Sequence, residues 1–175
     1  MIDDLIDKLK RQLASIPLEN WENSLSHNSD NIEIIQWLPL LQISPEFSLG
    51  LVKNGCWVKD SGVSVTIFEP GKPMVFLLPC LELKYDDFRS MIESAFLRLG
   101  LSKELAYTFP SSDLVCIGLT IDSKYWSELA LNWAEAIRFD EKVKQALIQA
   151  GGSGSTQKIR QRAKKILRDQ QRKAL

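Results

Sequence analysis

The sequence contains few of the side chains on which most enzyme and metal sites depend. Its 175 residues include one histidine, His27, and three widely spaced cysteines. An odd number of cysteines without a Cys-x-x-Cys pair argues against both a disulfide framework and a thiolate metal site. The spacing of these residues also suggests no Cys–His–Asp arrangement for nucleophilic catalysis. We therefore expect no metal and no catalytic site, with His27 at the surface and reduced, mostly buried thiols at Cys56, Cys80 and Cys116.

The sequence also lacks the motifs of several other classes of protein. No Gly-x-Gly-x-x-Gly or Gly-x4-Gly-Lys-Ser/Thr segment occurs, so no phosphate cradle and no cofactor are predicted. No apolar run approaches the roughly 18–20 residues of a membrane-spanning helix. The opening MIDDLIDKLK is acidic and amphipathic, whereas a secretory signal has a basic start and an apolar core. These features favour a cytoplasmic protein that is not an enzyme and has no membrane partner.

The charge that is present is divided unevenly along the chain. Residues 1–150 carry 14 Lys and Arg residues against 21 Asp and Glu residues, a net charge of −7. Residues 151–175 carry eight basic residues and one acid, a net charge of +7. The formal net charge of zero therefore conceals two oppositely charged segments, and such asymmetry bears on partners rather than on fold.

Hydrophobic periodicity predicts several amphipathic helices in residues 1–150. The first runs from Ile2 towards Pro17, and the segment YDDFRSMIESAFLRLG predicts another that stops at Gly100. A stripe from Trp126 to Ile137 predicts a third, capped by Asp122 or Ser123. It either continues through DEKVKQALIQA or bends near Phe139 and Asp140. The apolar run NIEIIQWLPLLQI predicts a buried helix that ends between Trp37 and Leu41.

The middle of the chain predicts a sheet. GVSVTIFE alternates apolar and polar residues, and MVFLLPCLEL is apolar throughout, with the turn-forming PGKP between them. This pattern is typical of a β-hairpin. CWV and DLVCIGLTI predict two further strands. The predicted fold class is α+β, a small, mainly antiparallel sheet of about three or four strands covered by amphipathic helices.

The segment AGGSGSTQ, residues 150–157, separates the two charge classes. Its core GGSGS has the composition of a flexible linker. Such a run between two dissimilar segments is typical of an engineered fusion. We therefore divide the chain into an acidic α+β binding domain at 1–150, an engineered Gly/Ser linker at 151–155 and a basic amphipathic helical peptide at 156–175.

The basic peptide has one apolar stripe at helical spacing, which predicts how it would dock. The predicted anchors are Ile159, Ala163, Ile166 and Leu167. The predicted charged contacts are Arg160, Arg162, Lys165 and Arg168. An isolated helix of this length is marginal in water, so the stripe needs a surface against which to pack.

The acidic domain offers two kinds of residue for such a surface. Four acids lie on or near its last predicted helix, close to the linker, and two tryptophans have polar neighbours. The domain-side candidates are Trp21, Trp57, Glu128, Glu135, Asp140 and Glu141.

Three interpretations of the basic peptide remain open. It is a client segment that docks in a groove of the acidic domain, a recognition mode in which opposite charges steer the encounter. Alternatively, it is an arm for nucleic acid, although a domain of net charge −7 would repel the same polyanion. In the third interpretation it is an irrelevant tail on a small enzyme with an unrecognised site. A short linker also allows two chains to exchange tails in a swapped homodimer.

The layout of an acidic domain, GGSGS and the peptide QKIRQRAKKILRDQQRKAL resembles a dedicated assembly chaperone or adaptor joined to a segment of its client. In overall character, residues 1–150 are similar to small acidic accessory proteins of cyanobacteria. One such class escorts carboxysome shell proteins by holding a C-terminal extension. The resemblance implies a client protein whose basic terminal helix is held to assist assembly. Chaperones that shield basic ribosomal-protein extensions share this layout.

Overall fold

The computed structural model describes residues 2–28, 31–69, 71–72 and 74–173, and they form an α+β protein. Five strands and six α-helices lie within these residues, so the sheet has more strands than the sequence predicts. The chain divides into two compact units. We call residues 1–72 and 89–109 the strand unit, and residues 73–88 and 110–175 the helical unit.

The strand unit contains a closed sheet in which each strand pairs with the next in sequence. These successive pairings are antiparallel, and the first and last strands close the sheet through one parallel pairing of Ser26 with Val65. The strands are β1 Glu22–Asn28, β2 Asn31–Ser44, β3 Phe47–Val52, β4 Trp57–Asp60 and β5 Val65–Ile67. The mainly antiparallel sheet of the sequence analysis is therefore present.

A buried cluster of Trp37, Val52, Val58 and Val65 lies in this unit. The Trp37 ring packs so closely over β3 that position 50 has no room for a side chain. A Cβ on Gly50 would lie 2.3 Å from the Leu38 carbonyl oxygen and 2.5 Å from the Trp37 ring.

Helix α1, Ile2–Leu13, belongs to the strand unit and packs against a short 3-10 helix, Lys103–Thr108. Leu9 and Leu13 are buried. The Gln12 side chain donates to Ser102 Oγ at 2.9 Å and accepts from the Ser102 backbone N–H at 2.9 Å. This reciprocal pair fixes the last turn of α1.

The helical unit contains α3 Ser111–Thr120, α4 Lys124–Ala136, α5 Glu141–Ser153 and α6 Gln157–Lys173. Helices α3 and α4 pack closely, and a Cβ on Gly118 would lie 2.7 Å from the Ala130 Cβ. Helix α2, Tyr85–Arg98, begins in the helical unit and ends in the strand unit. Two further 3-10 helices are Leu18–Asn20 in the strand unit and Val75–Glu82 in the helical unit.

Several predicted elements are confirmed. Helices α1 and α2 are present, and Gly100 follows α2 with a φ of 73°, a conformation that favours glycine. The Ser123 side chain caps α4 by accepting from the Trp126 N–H. The chain bends after α4, and Asp140 caps α5. The CWV segment contributes to β4.

Three apolar segments form a different type of secondary structure from the one predicted. NIEIIQWLPLLQI forms strand β2 and not a helix. This strand accommodates Pro39 at a register shift against β3. MVFLLPCLEL forms the 3-10 helix Val75–Glu82, so the predicted hairpin with β5 is wrong. DLVCIGLTI lies in α3, which begins just after Pro110 at Ser111. Pro70 and the His27 side chain lie outside the described residues.

Candidate helix-binding surface

The basic peptide forms α6, and its first turn is capped by Thr156. The Thr156 side chain accepts a hydrogen bond from the Ile159 N–H at 3.2 Å, and its carbonyl accepts from the Arg160 N–H. A hydroxyl at this position satisfies one of the unpaired N–H groups at a helix start. The sequence analysis missed this cap, although a Thr before a run of helix formers is its usual signature.

The Gly/Ser segment is largely built into α5. Gly151, Gly152 and Ser153 complete that helix, and the Gly154 N–H donates to the Ala150 carbonyl at 3.0 Å. Only Gly154–Thr156 connect α5 with α6. The two helices therefore form a short-looped helical hairpin within one chain, rather than two bodies on a flexible tether.

Two glycines of this segment lie at positions where α6 approaches closely. A Cβ on Gly151 would lie 3.2 Å from Lys164 Cγ. A Cβ on Gly154 would lie 2.5 Å from the Ala150 carbonyl oxygen and 2.9 Å from Ile159 Cγ2. These distances leave no room for a side chain at position 154, so the close approach of the two helices requires glycine there. The sequence analysis missed this role and treated Gly154 only as a linker residue.

The predicted apolar anchors face inward. Helix α6 packs against α5 and α4. Ile159 is 1% exposed, Ala163 0% and Ile166 4%, whereas Leu167 is half-buried. Periodicity therefore selected three side chains that the fold buries completely and one at the edge of the contact.

Two of the predicted acids face α6 from α4. Arg162 donates from Nε to Glu135 Oε1 at 3.0 Å, and its Nη2 lies 2.9 Å from the same oxygen. Lys158 Nζ lies 3.5 Å from Glu128 Oε1, a buried oxygen that accepts no hydrogen bond within the described part of the chain. Both pairs lie beside the apolar stripe, at its polar margin.

The predicted charged residues of the peptide behave differently from one another. Arg160 donates to the Gly154 carbonyl at 2.6 Å and so closes the loop between the helices. Arg162 takes part in the ion pair with Glu135. Lys165 and Arg168 are exposed, and neither forms an ion pair among the described residues.

Asp140 and Glu141 form their hydrogen bonds with residues of α5. Asp140 accepts from the Val143 N–H at 2.9 Å. Glu141 accepts from Gln145 at 2.7 Å, and this hydrogen bond, with one from Lys144, holds the pKa of Glu141 below its ordinary value. Among the described side chains, neither acid forms a hydrogen bond or an ion pair with α6.

Trp21 and Trp57 belong to the strand unit and are buried rather than partly exposed. Trp57 packs edge-on against Phe96 and Phe109, with ring centroids 6.0 and 5.1 Å apart. The Lys53 ammonium lies 5.5 Å above the Trp21 ring. The polar sequence neighbours of Trp21 and Trp57 predict partly exposed rings at the base of a binding groove. The exposure predicted is wrong, because both rings are buried by packing within the strand unit.

Burial disfavours the thiolate form of two of the three cysteines, Cys56 and Cys116. Burial raises the pKa of Cys116 to about 11, with a further rise from the nearby Asp113 and Asp140 carboxylates. Burial also raises the pKa of Cys56. All three cysteines are reduced, and Cys80 is buried. Among the described residues, no cluster of three or more His, Cys, Asp or Glu side chains is arranged to hold a metal ion.

Comparisons with protein-family models, curated proteins and solved structures found no match to this chain. Within the described ranges, no helix combines the length and apolarity needed to cross a membrane.

Proposed function

We propose that this protein is a non-enzymatic chaperone or adaptor whose helical unit holds a basic amphipathic helix. The observation that supports this most directly is the docking of α6. Its stripe of Ile159, Ala163 and Ile166 is buried against α4 and α5, while Lys158 and Arg162 pair with acids on α4. In this proposal α6 occupies the position of a client helix.

The chemistry of the contact explains why a basic amphipathic helix fits. Each buried isoleucine contributes about 1.5–3 kcal/mol, while an exposed ion pair contributes about 0.2–1 kcal/mol. The apolar stripe therefore supplies most of the affinity, and Glu128 and Glu135 select a helix with cations beside that stripe. Salt should weaken such a complex without abolishing it.

In this proposal the client is a protein with a basic helical segment, and residues 156–175 stand for that segment. The most concrete form is a cytoplasmic assembly chaperone for a cyanobacterial carboxysome shell protein, and the layout of the sequence is its sole support. A homodimer that exchanges α6 is a further form of the proposal. The connection Gly154–Thr156 is short, so exchange requires these residues to extend.

Complementation in trans tests whether the surface binds a separate helix. In the full chain, Ile159→Asp with Ile166→Asp should release the tethered α6, because both side chains would carry a charge into an apolar contact. The thermal midpoint should fall. A synthetic 156–175 peptide should then restore it in proportion to its concentration, since a ligand that binds only the folded state stabilises it.

The matched control is the same peptide with Ile166→Asp and Leu167→Asp, which should restore nothing. A variant whose midpoint is unmoved by wild-type peptide at mM concentration would show that α6 is an inseparable part of the fold. Analytical ultracentrifugation of the wild-type chain distinguishes the cis form, a monomer, from the tail-swapped homodimer.

A further inference from the structure

Helix α6 presents a second charged face whose cations make no polar contact within the described part of the chain when the helix is docked. Lys164, Lys165, Arg168 and Arg172 are exposed, and none forms an ion pair or a side-chain hydrogen bond among the described residues. The one acid of α6, Asp169, pairs with none of them. We call these four cations the outer face of α6.

The outer face has a regular spacing. Lys164, Arg168 and Arg172 are four residues apart, so successive cations are separated by about 6 Å along the helix axis. Lys165 lies beside the first of them. A shallow groove of about 390 Å³ is lined by Gln161, Lys164, Leu167 and Arg168. The half-buried Leu167 gives this cationic surface one apolar contact point.

We infer that the outer face of α6 binds an acidic polypeptide segment, a helix with carboxylates at i and i+4 on either side of an apolar residue. Carboxylates at this spacing match the cations of the outer face, and the apolar residue would contact Leu167. Charge complementarity of this kind sets specificity and encounter rate more than affinity.

Two features favour an acidic polypeptide over nucleic acid. Residues 156–175 contain no Trp, Tyr or Phe on which a base could stack. Residues 1–150 carry a net charge of −7, which opposes a long polyanion but is compatible with a short acidic helix. The inference requires α6 to be docked and does not require it to be exchanged, so it can fail while the proposed function holds.

Fluorescence anisotropy on the full chain tests this inference. The probe is a labelled helical peptide of about 16 residues with Glu at every fourth position beside one Leu. At about 50 mM salt it should bind wild-type protein saturably. Lys165→Gln/Arg168→Gln/Arg172→Gln should weaken binding about tenfold, because three charge contacts that are only partly screened at this salt concentration are lost. Lys164 is left unchanged because its side chain lies over Gly151.

The matched control removes the same charge elsewhere. Lys84→Gln/Lys103→Gln/Lys124→Gln replaces three exposed lysines and should leave binding of the probe unchanged. The conservative variant Arg168→Lys should also retain it. A peptide of identical composition, with its Glu residues distributed around the helix, should bind at least about tenfold more weakly.

Three results would overturn the inference. One is equal binding of the redistributed peptide, which would mean that net charge alone is sensed. Another is tighter binding of a single-stranded oligonucleotide than of the acidic helix, which would assign the face to nucleic acid. The third is self-association that the triple variant on α6 abolishes, which would make a second copy of this chain the occupant.

Discussion

Helices α1 and α6 are both amphipathic, and each packs through a buried apolar stripe, but their polar contacts differ. Gln12 in α1 makes two neutral hydrogen bonds of 2.9 Å with Ser102. One exposed ion pair, Lys8 with Glu104, also joins α1 to the neighbouring 3-10 helix. Helix α6 relies instead on Lys158 and Arg162, which pair with acids on α4.

The difference indicates which helix is suited to exchange. A reciprocal pair of neutral hydrogen bonds depends on geometry and is insensitive to ionic strength, whereas exposed ion pairs weaken with salt and tolerate small changes of position. If α6 occupies the position of an exchangeable basic helix, as we propose, its docking should weaken with salt, whereas the Gln12 pair of α1 should not. The following predictions test this contrast in order of decreasing effect.

The largest effect is expected for Ile166→Asp. Burying a carboxylate in the apolar contact of α6 should remove about 3 kcal/mol or more of docking free energy. The loss is limited to the free energy of docking, because the helix can detach and hydrate the new charge. Trypsin should then cleave rapidly within Gln157–Lys173. Gln161→Asp, which adds the same charge at an exposed position, should leave the cleavage rate unchanged; equal cleavage of both variants would contradict the account.

A smaller but salt-independent effect is expected for Gln12→Ala. Loss of the side chain leaves the Ser102 N–H without its partner in a part-buried position, at an expected cost of about 1–3 kcal/mol. Urea unfolding followed by tryptophan fluorescence measures the change, which should be the same at low and at high salt. Gln149→Ala, at an exposed site on α5, should change stability by less than about 0.5 kcal/mol. A strong salt dependence for Gln12→Ala would remove the contrast between the two helices.

Arg162→Gln should give a still smaller, salt-dependent loss. Its pair with Glu135 is partly exposed, so the expected change in docking free energy is about 0.2–1 kcal/mol at low salt and close to zero at about 1 M. Tryptic cleavage of α6 at the two salt concentrations measures it. Arg172→Gln, which breaks no ion pair in the described structure, serves as the control. A loss of equal size at both salt concentrations would show that Arg162 acts through packing.

The smallest effect on stability is expected when acid protonates Glu104, the partner of Lys8 in α1. The hydrogen bond from the Lys8 ammonium holds the pKa of Glu104 below its ordinary value of 4.5. The unfolded chain therefore takes up this proton at a higher pH than the folded chain. The ion pair contributes above pH 4.5 and is lost as pH falls through the lower folded value.

Urea midpoints at about pH 7 and pH 3 measure this contribution, with Glu104→Gln as the reference. The wild-type chain should be slightly more stable than Glu104→Gln at neutral pH, and the two should converge in acid. A difference that grows as the pH falls would have the wrong sign for this ion pair.

The sequence predicts the two terminal helices well because their signal is local. The periodicity predicts α1, in which Leu9 and Leu13 are buried, and predicts the anchors Ile159, Ala163 and Ile166 of α6, which are buried as well. For the acidic partners of α6, charge and closeness to the linker are the only signals in the sequence. Of the four predicted acids, Glu128 and Glu135 face α6, while Asp140 and Glu141 form hydrogen bonds within α5.

The interior of the chain could not be predicted in the same way. Short, uniformly apolar runs carry no periodicity that distinguishes a strand from a buried helix. Asn31–Ser44 becomes a strand because β1 and β3 pair with its two edges. Ser111–Thr120 becomes a helix in which Gly118 permits close packing on Ala130. Both outcomes depend on residues distant in sequence.

Hydrogen exchange on the intact wild-type chain, read by mass spectrometry, tests the central claim most directly. It compares the amides of α6 with those of α1 at low salt and at about 1 M salt. If α6 is held as an exchangeable basic helix, its amides should exchange through a local opening that high salt accelerates, while those of α1, which has the single exposed pair Lys8–Glu104, should change less. Exchange of α6 at the same rate as α5 in both conditions would contradict the account, because α6 would then open only when the helical unit unfolds.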